Sequence, residues 1–178
     1  MSDIVLGIDP GSRITGYGVL LSQGSSLSYL GSGCISAGTG EISERLKTIY
    51  AALTTLVEQF KPSVMAIEET FLAKNVQSTV KLAEARGAAI VAGANAGLPV
   101  YEYTPMQIKQ AVVGYGMAEK TQVQYMVRQI LKLNGTPQTD AADALACAIC
   151  HAYTAKVTRA MGSQVGSGSS VHGRYRRG

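Results

Sequence analysis

No stretch of this chain comes near the roughly 20 consecutive apolar residues that a membrane span requires, although 46% of its 178 residues are hydrophobic. Cysteine is scarce. Cys34, Cys147 and Cys150 are an odd number, which argues against a disulfide framework. The N-terminus lacks the basic, apolar, small-residue layout of an export signal, and the expected location is cytoplasmic. Acidic residues are missing from 157–178, where four arginines (159, 174, 176 and 177) account for the whole net charge of +4. The rest of the chain holds twelve basic and twelve acidic residues. A nucleic-acid surface there therefore depends on local clustering rather than on overall charge.

What is present is strong periodicity. Residues 3–9, 16–23 and 26–36 read as three strands joined by tight Gly/Ser turns, an antiparallel meander. The period then changes: Ile42, Leu46, Ile49, Leu53, Leu56 and Phe60 recur at three- and four-residue steps and predict a helix over 41–60. Lys61-Pro62 stops it, and Val64–Glu68 reads as a buried fourth strand. A small-residue helix over 76–96, a strand over 99–104 and helices over 105–113 and 119–133 follow, before a last helix from 139 to about 157. The fold class is α/β, a mixed five-stranded sheet with a β-meander, then β-α alternation and helices on both faces. One domain is expected over 1–157, with 158–178 a Gly/Ser/Arg-rich disordered tail.

Acids fall where core residues are expected. Asp9 ends the first strand in GIDPGSRITGYGV, held extended by Pro10. As a lone feature it is equally an Asx-type turn residue. Glu68 and Glu69 end the fourth strand, and alternation lets only one of them face a crevice. Asp140 and Asp143 are three apart at the start of the last helix and share one face, where capping and the helix dipole also favour acids. In a sheet flanked by helices, sites form beyond the carboxyl ends of the strands. Carboxylates converging there repel one another unless divalent cations sit between them. Two such cations about 3.5–4 Å apart suit phosphodiester hydrolysis.

The blocks GIDPGSRITGYGV, AIEETFLAKN, KLAEARGAAIVA, EKTQVQYMV and DAADALACAICH, in this order from about residue 3 to 155, resemble the bacterial RuvC family of Holliday-junction endonucleases. The resemblance implies a ribonuclease H-like fold and a homodimer that cuts four-way DNA junctions by paired, symmetric nicks in recombination and repair. It implies two Mg²⁺ per active site, with Mn²⁺ able to substitute, and a branch-migration helicase complex as partner. The family's catalytic, metal-binding acids fall on Asp9, Glu68, Asp140 and Asp143, which selects Glu68 over Glu69 by block position. Lys109 and Lys120 match lysines near the scissile phosphate. Phe71 matches an aromatic that wedges into the junction crossover. Lys74, Lys81 and Arg86, on or beside the following helix, are the expected backbone contacts.

Competing readings are narrower. Asp9-Pro-Gly-Ser also resembles the first phosphate loop of actin-like ATPases, but 178 residues leave no room for the second such domain. A ribonuclease H-like enzyme acting on RNA lacks a reason for the Phe71 block and the AEARG helix. A non-catalytic junction-binding module predicts that some of the four acids are replaced, and none is. Cys147-Ala-Ile-Cys150-His151 has the form of a haem attachment motif, but it sits in an Ala-rich helical pattern and reads as packing. The small-residue helix over 81–96 is the expected dimer surface.

Overall fold

The computed structural model describes residues 2–69 and 74–165. Ten elements follow in the order β1 (Ser2–Asp9), β2 (Ile14–Gln23), β3 (Ser26–Ser36), α1 (Ile42–Phe60), β4 (Val64–Glu68), α2 (Val76–Asn95), β5 (Val100–Tyr103), α3 (Pro105–Val113), α4 (Lys120–Ile130) and α5 (Thr139–Val165). The strands form one sheet in the order β3-β2-β1-β4-β5. β1–β2 and β2–β3 pair antiparallel, whereas β4 runs parallel to both β1 and β5. The expected mixed sheet is present, and the meander and the alternating half meet at the β1–β4 seam.

Period-two alternation divides the core. Leu6 and Ile8 of β1 and Met65 and Ile67 of β4 pack with Ile49 and Leu53 of α1 and with Ala85 and Ala89 of α2. Val5 of β1 and Val64 and Ala66 of β4 face the other way, against α3, α4 and α5 through Ile108, Val127, Leu145 and Ile149. Each fully buried Leu or Ile contributes about 1.5–3 kcal/mol by leaving water. Because Asp9 continues the Val5–Gly7 series and Glu68 continues Val64–Ala66, both carboxylates project to the α5 side. Alternation therefore selects Glu68 over Glu69 once the core side of Val64 and Ala66 is known.

Local chemistry fixes the helices that border this face. Thr104 and Gln107 form a capping box, each side chain bonded to the other's backbone N–H (2.8 and 3.1 Å), with Pro105 in the first turn of α3. The Glu119 N–H donates to the Gln122 side chain at 2.8 Å, starting α4 at Lys120. α5 is alanine-rich and buried almost without break from Ala141 to Ala152. It lies directly on the sheet.

Three bounds are corrected: β2 starts at Ile14 rather than 16, α4 ends at Ile130 rather than 133, and the end of α5 moves most. α5 does not stop near residue 157 but continues to Val165, eight residues into the segment read as a tail. Ala160 and Met161 favour helix, and Gly162 costs only about 1 kcal/mol against Ala. Residues 166–178, including three of the four tail arginines, lie outside the described residues.

Candidate metal centre and nuclease site

The parallel β1–β4 pairing brings Ile8 opposite Ile67, so the strands end side by side with Asp9 next to Glu68. Asp9 is paired with Gly16 on its other side. The first turn of α5 crosses above this point, and one carboxylate oxygen each from Asp9, Asp140 and Asp143 lie within 4.8 Å of one another. Glu68 stands just outside this group, hydrogen-bonded to Asp9.

Electrostatics follow from that crowding. Burial first, and then the charges of Glu68 and Asp143, push the Asp9 carboxyl up to about 9, where it donates a hydrogen bond to Glu68. Burial also raises Glu68, opposed by the bond it accepts from Asp9 and by the Lys120 and Lys109 charges. Lys120 Nζ lies 2.7 Å from Asp143 Oδ2. Burial works against the Lys120 charge, but the bond to Asp143 and the neighbouring carboxylates outweigh it and hold the ammonium above its usual value. Glu68, Lys109, Lys120 and Asp143 line a cleft of about 240 Å³ whose floor is Ile108 and Val123. A wider depression of about 690 Å³ between the β2–β3 turn and the end of α4 has no carboxylate among the described residues that line it. All-oxygen donors beside two lysines suit a hard divalent cation opposite an anionic substrate.

The structure therefore gathers six of the ten expected site residues: Asp9, Glu68, Asp140, Asp143, Lys109 and Lys120. Lys74 and Lys81 are exposed, before and within α2. Arg86 is mostly covered and ion-paired with Glu102 at 2.9 Å. Phe71, the expected wedge, lies outside the described residues. Cys147 and Cys150 are buried in the α5 core with their thiols pushed up by burial, Cys150 to about 11.

Two supporting residues escaped the sequence reading. Arg45 is 5% exposed and donates its Nε to the Ser12 carbonyl at 2.8 Å, with a second, shorter contact from Nη2. Thr15 is fully buried, and its hydroxyl donates to the Gly11 carbonyl at 2.9 Å and accepts from the Gly11 N–H at 3.3 Å. Together they clamp the loop that follows Asp9. The available signal was a cation on an apolar stripe: Arg45 falls three after Ile42 and four before Ile49.

Comparison with known proteins identifies relatives of nearly the whole chain. The family model described as "Crossover junction endodeoxyribonuclease RuvC" matches residues 5–151. A protein of that name from Vibrio cholerae is 58% identical over 173 residues, covering 97% of this chain and 99% of its own. The "Thermus thermophilus RuvC structure" aligns with a TM-score of 0.80 at 38% identity, covering 87% of this chain and 96% of that one. "T. thermophilus RuvC in complex with Holliday junction substrate" aligns with a TM-score of 0.83 at 38% identity, covering 88% and 96%. Matched over most of its length by the family model and by such relatives, the chain belongs to the RuvC family of crossover junction endodeoxyribonucleases.

Proposed function

We propose that the chain is a divalent-metal-dependent endonuclease that resolves four-way DNA junctions by paired, symmetric nicks in recombination and repair. The observation that carries this reading is the convergence of Asp9, Asp140 and Asp143 within 4.8 Å at the end of the β1–β4 seam, beside Glu68 and two lysines. Asp9, Glu68, Asp140 and Asp143 would hold two Mg²⁺ ions, with Mn²⁺ able to substitute. When bound, the ions supply an activated water and stabilise the departing oxygen of the phosphodiester. The protein's own contribution is to keep four acids together in spite of their repulsion. Without a cation, Asp9 holds a proton against Glu68. Lys120 is steered by Asp143, and Lys109 borders the same cleft, so both cations face the position of the scissile phosphate.

Substrate geometry asks for two such sites related by a two-fold axis, hence a homodimer. α2 supports this, because Val80 and Val91 are 51% and 55% exposed and lie eleven residues apart on one helix face. Gly87 lies between them with open space where a Cβ would be. Lys74 and Lys81 are the backbone-contacting cations, and Arg86 joins them only by exchanging Glu102 for a phosphate. Phe71 is the wedge at the crossover. The folded unit is one nuclease domain, and a branch-migration helicase complex is the partner that delivers junctions to it.

The test is a synthetic four-way junction beside a linear duplex of the same sequence, each incubated with and without Mg²⁺. Paired nicks in the junction alone, dependent on metal and lost in Asp9→Asn, are expected. Folded protein that binds the junction and leaves it intact with Mg²⁺ present overturns the enzyme reading. Equal cutting of the duplex overturns junction selectivity.

A further inference from the structure

We infer that Gly16 is a positioning residue for the metal centre: having no side chain there sets the height of α5 above the sheet, and so the reach of Asp140 to the cations. This rests on the metal reading above. Asp9 and Gly16 are directly opposed across the β1–β2 ladder, so their Cβ directions share one face. On that face a Cβ at Gly16 would lie 2.0 Å from the Asp140 carbonyl oxygen, 2.3 Å from its carbon and 3.0 Å from the Ala141 nitrogen. All three atoms are backbone, so no rotamer change relieves the contact.

A second seat lies one turn along. A Cβ at Gly7 would meet the Ala144 carbonyl oxygen at 2.1 Å. Asp143 stands between the two seats. The helix start therefore rests on bare β2 backbone beside Asp9, and the three acids reach one another for that reason. Restoring ordinary van der Waals separation at Gly16 requires the first turn of α5 to lift by more than about 1 Å, and Mg²⁺ accepts ligands only near 2.0–2.1 Å in close to octahedral geometry. Asp140, whose backbone makes the contact, moves most.

Binding is read as the Mn²⁺ concentration that half-saturates the rise in melting temperature of nuclease-free, DNA-free protein. Gly16→Ala is expected to raise that concentration by at least about tenfold, which corresponds to 1.4 kcal/mol. The control is Gly31→Ala, whose Cβ would press on the Phe60 ring at 2.8 Å, away from α5; it is expected to lower the melting temperature and leave the Mn²⁺ midpoint unchanged. Adding Asp140→Glu to Gly16→Ala, one methylene of extra reach, is expected to recover much of the lost affinity, which a purely structural defect does not allow. If Gly16→Ala is not recovered folded, Asp140→Glu in the native background decides: a raised midpoint supports a tightly set reach, and an unchanged one overturns it. An unchanged midpoint in folded Gly16→Ala likewise overturns the inference. No Mn²⁺ response in the wild-type protein overturns the metal reading itself.

Discussion

The Asp9 carboxyl donates a hydrogen bond to Glu68 across two adjacent parallel strands, and this pair shares its site with Asp140 and Asp143. Metal-free, the native state therefore keeps a proton on Asp9 that the unfolded chain gives up near the ordinary carboxyl value of 3.8. Between there and about 9 the native state binds more protons than the unfolded one. Stability accordingly falls as pH rises through that window. Melting curves in chelator from pH 5 to pH 9 are expected to show this decline. Mg²⁺ should flatten it, and Asp9→Asn should melt at or above the wild type at pH 8, where about 1 kcal/mol corresponds to about 2–4 °C for a domain of this size. A metal-free protein that gains stability toward pH 9 contradicts the clustered-acid account.

Lys120 has two duties, as counter-ion to Asp143 and as a cation at the cleft mouth. Lys120→Met should lower the single-turnover cleavage rate by about 10²-fold, the scale of losing one preorganised charge donor. Junction affinity in Ca²⁺ should change little. The Mn²⁺-induced rise in melting temperature should be retained or enlarged, because a competing cation has been removed. Loss of metal binding in this variant refutes the counter-ion role.

Arg45 is a buried cation whose visible work is to hold the Ser12 carbonyl. Arg45→Met leaves that carbonyl without its donor, at a cost of about 1–3 kcal/mol. Denaturant unfolding should register the loss. Thr15→Val, which removes both bonds to Gly11, should register one of similar size.

The contrast between these residues explains what was legible in sequence. β4 and α3 were read with their observed bounds, because Lys61-Pro62 and Thr104-Pro105 punctuate them and the apolar period is unbroken. The acids stood out as acids at element ends, but choosing Glu68 over Glu69 rested on the family resemblance. Arg45 did not stand out, since its partner is a backbone carbonyl 33 residues away and such pairs leave no periodic trace. The end of α5 was missed for a different reason. Past Ala152 the helix leaves the core, and apolar periodicity vanishes while helical backbone continues. Gly16 read as the first residue of the second strand, whereas the helix above it decides why it is glycine.

The proposed homodimer places its contact at the exposed Val80 and Val91 on α2. Val80→Glu combined with Val91→Glu should shift the protein toward monomer in sedimentation equilibrium, with its melting temperature nearly unchanged. Paired nicking of a junction should then become single, uncoupled nicking. A variant that remains dimeric places the contact elsewhere.

The central claim is that four carboxylates at one sheet edge form a metal-dependent junction-cutting centre. Its most direct test is single-turnover cleavage of a four-way junction, prebound in Ca²⁺ and started with Mg²⁺, for wild type, Asp9→Asn, Glu68→Gln, Asp140→Asn and Asp143→Asn. The account predicts wild-type-like junction binding in all five proteins and symmetric cleavage only in the wild type, with each variant slower by at least about 10²-fold. Cleavage at the wild-type rate by any one of the four variants would contradict it.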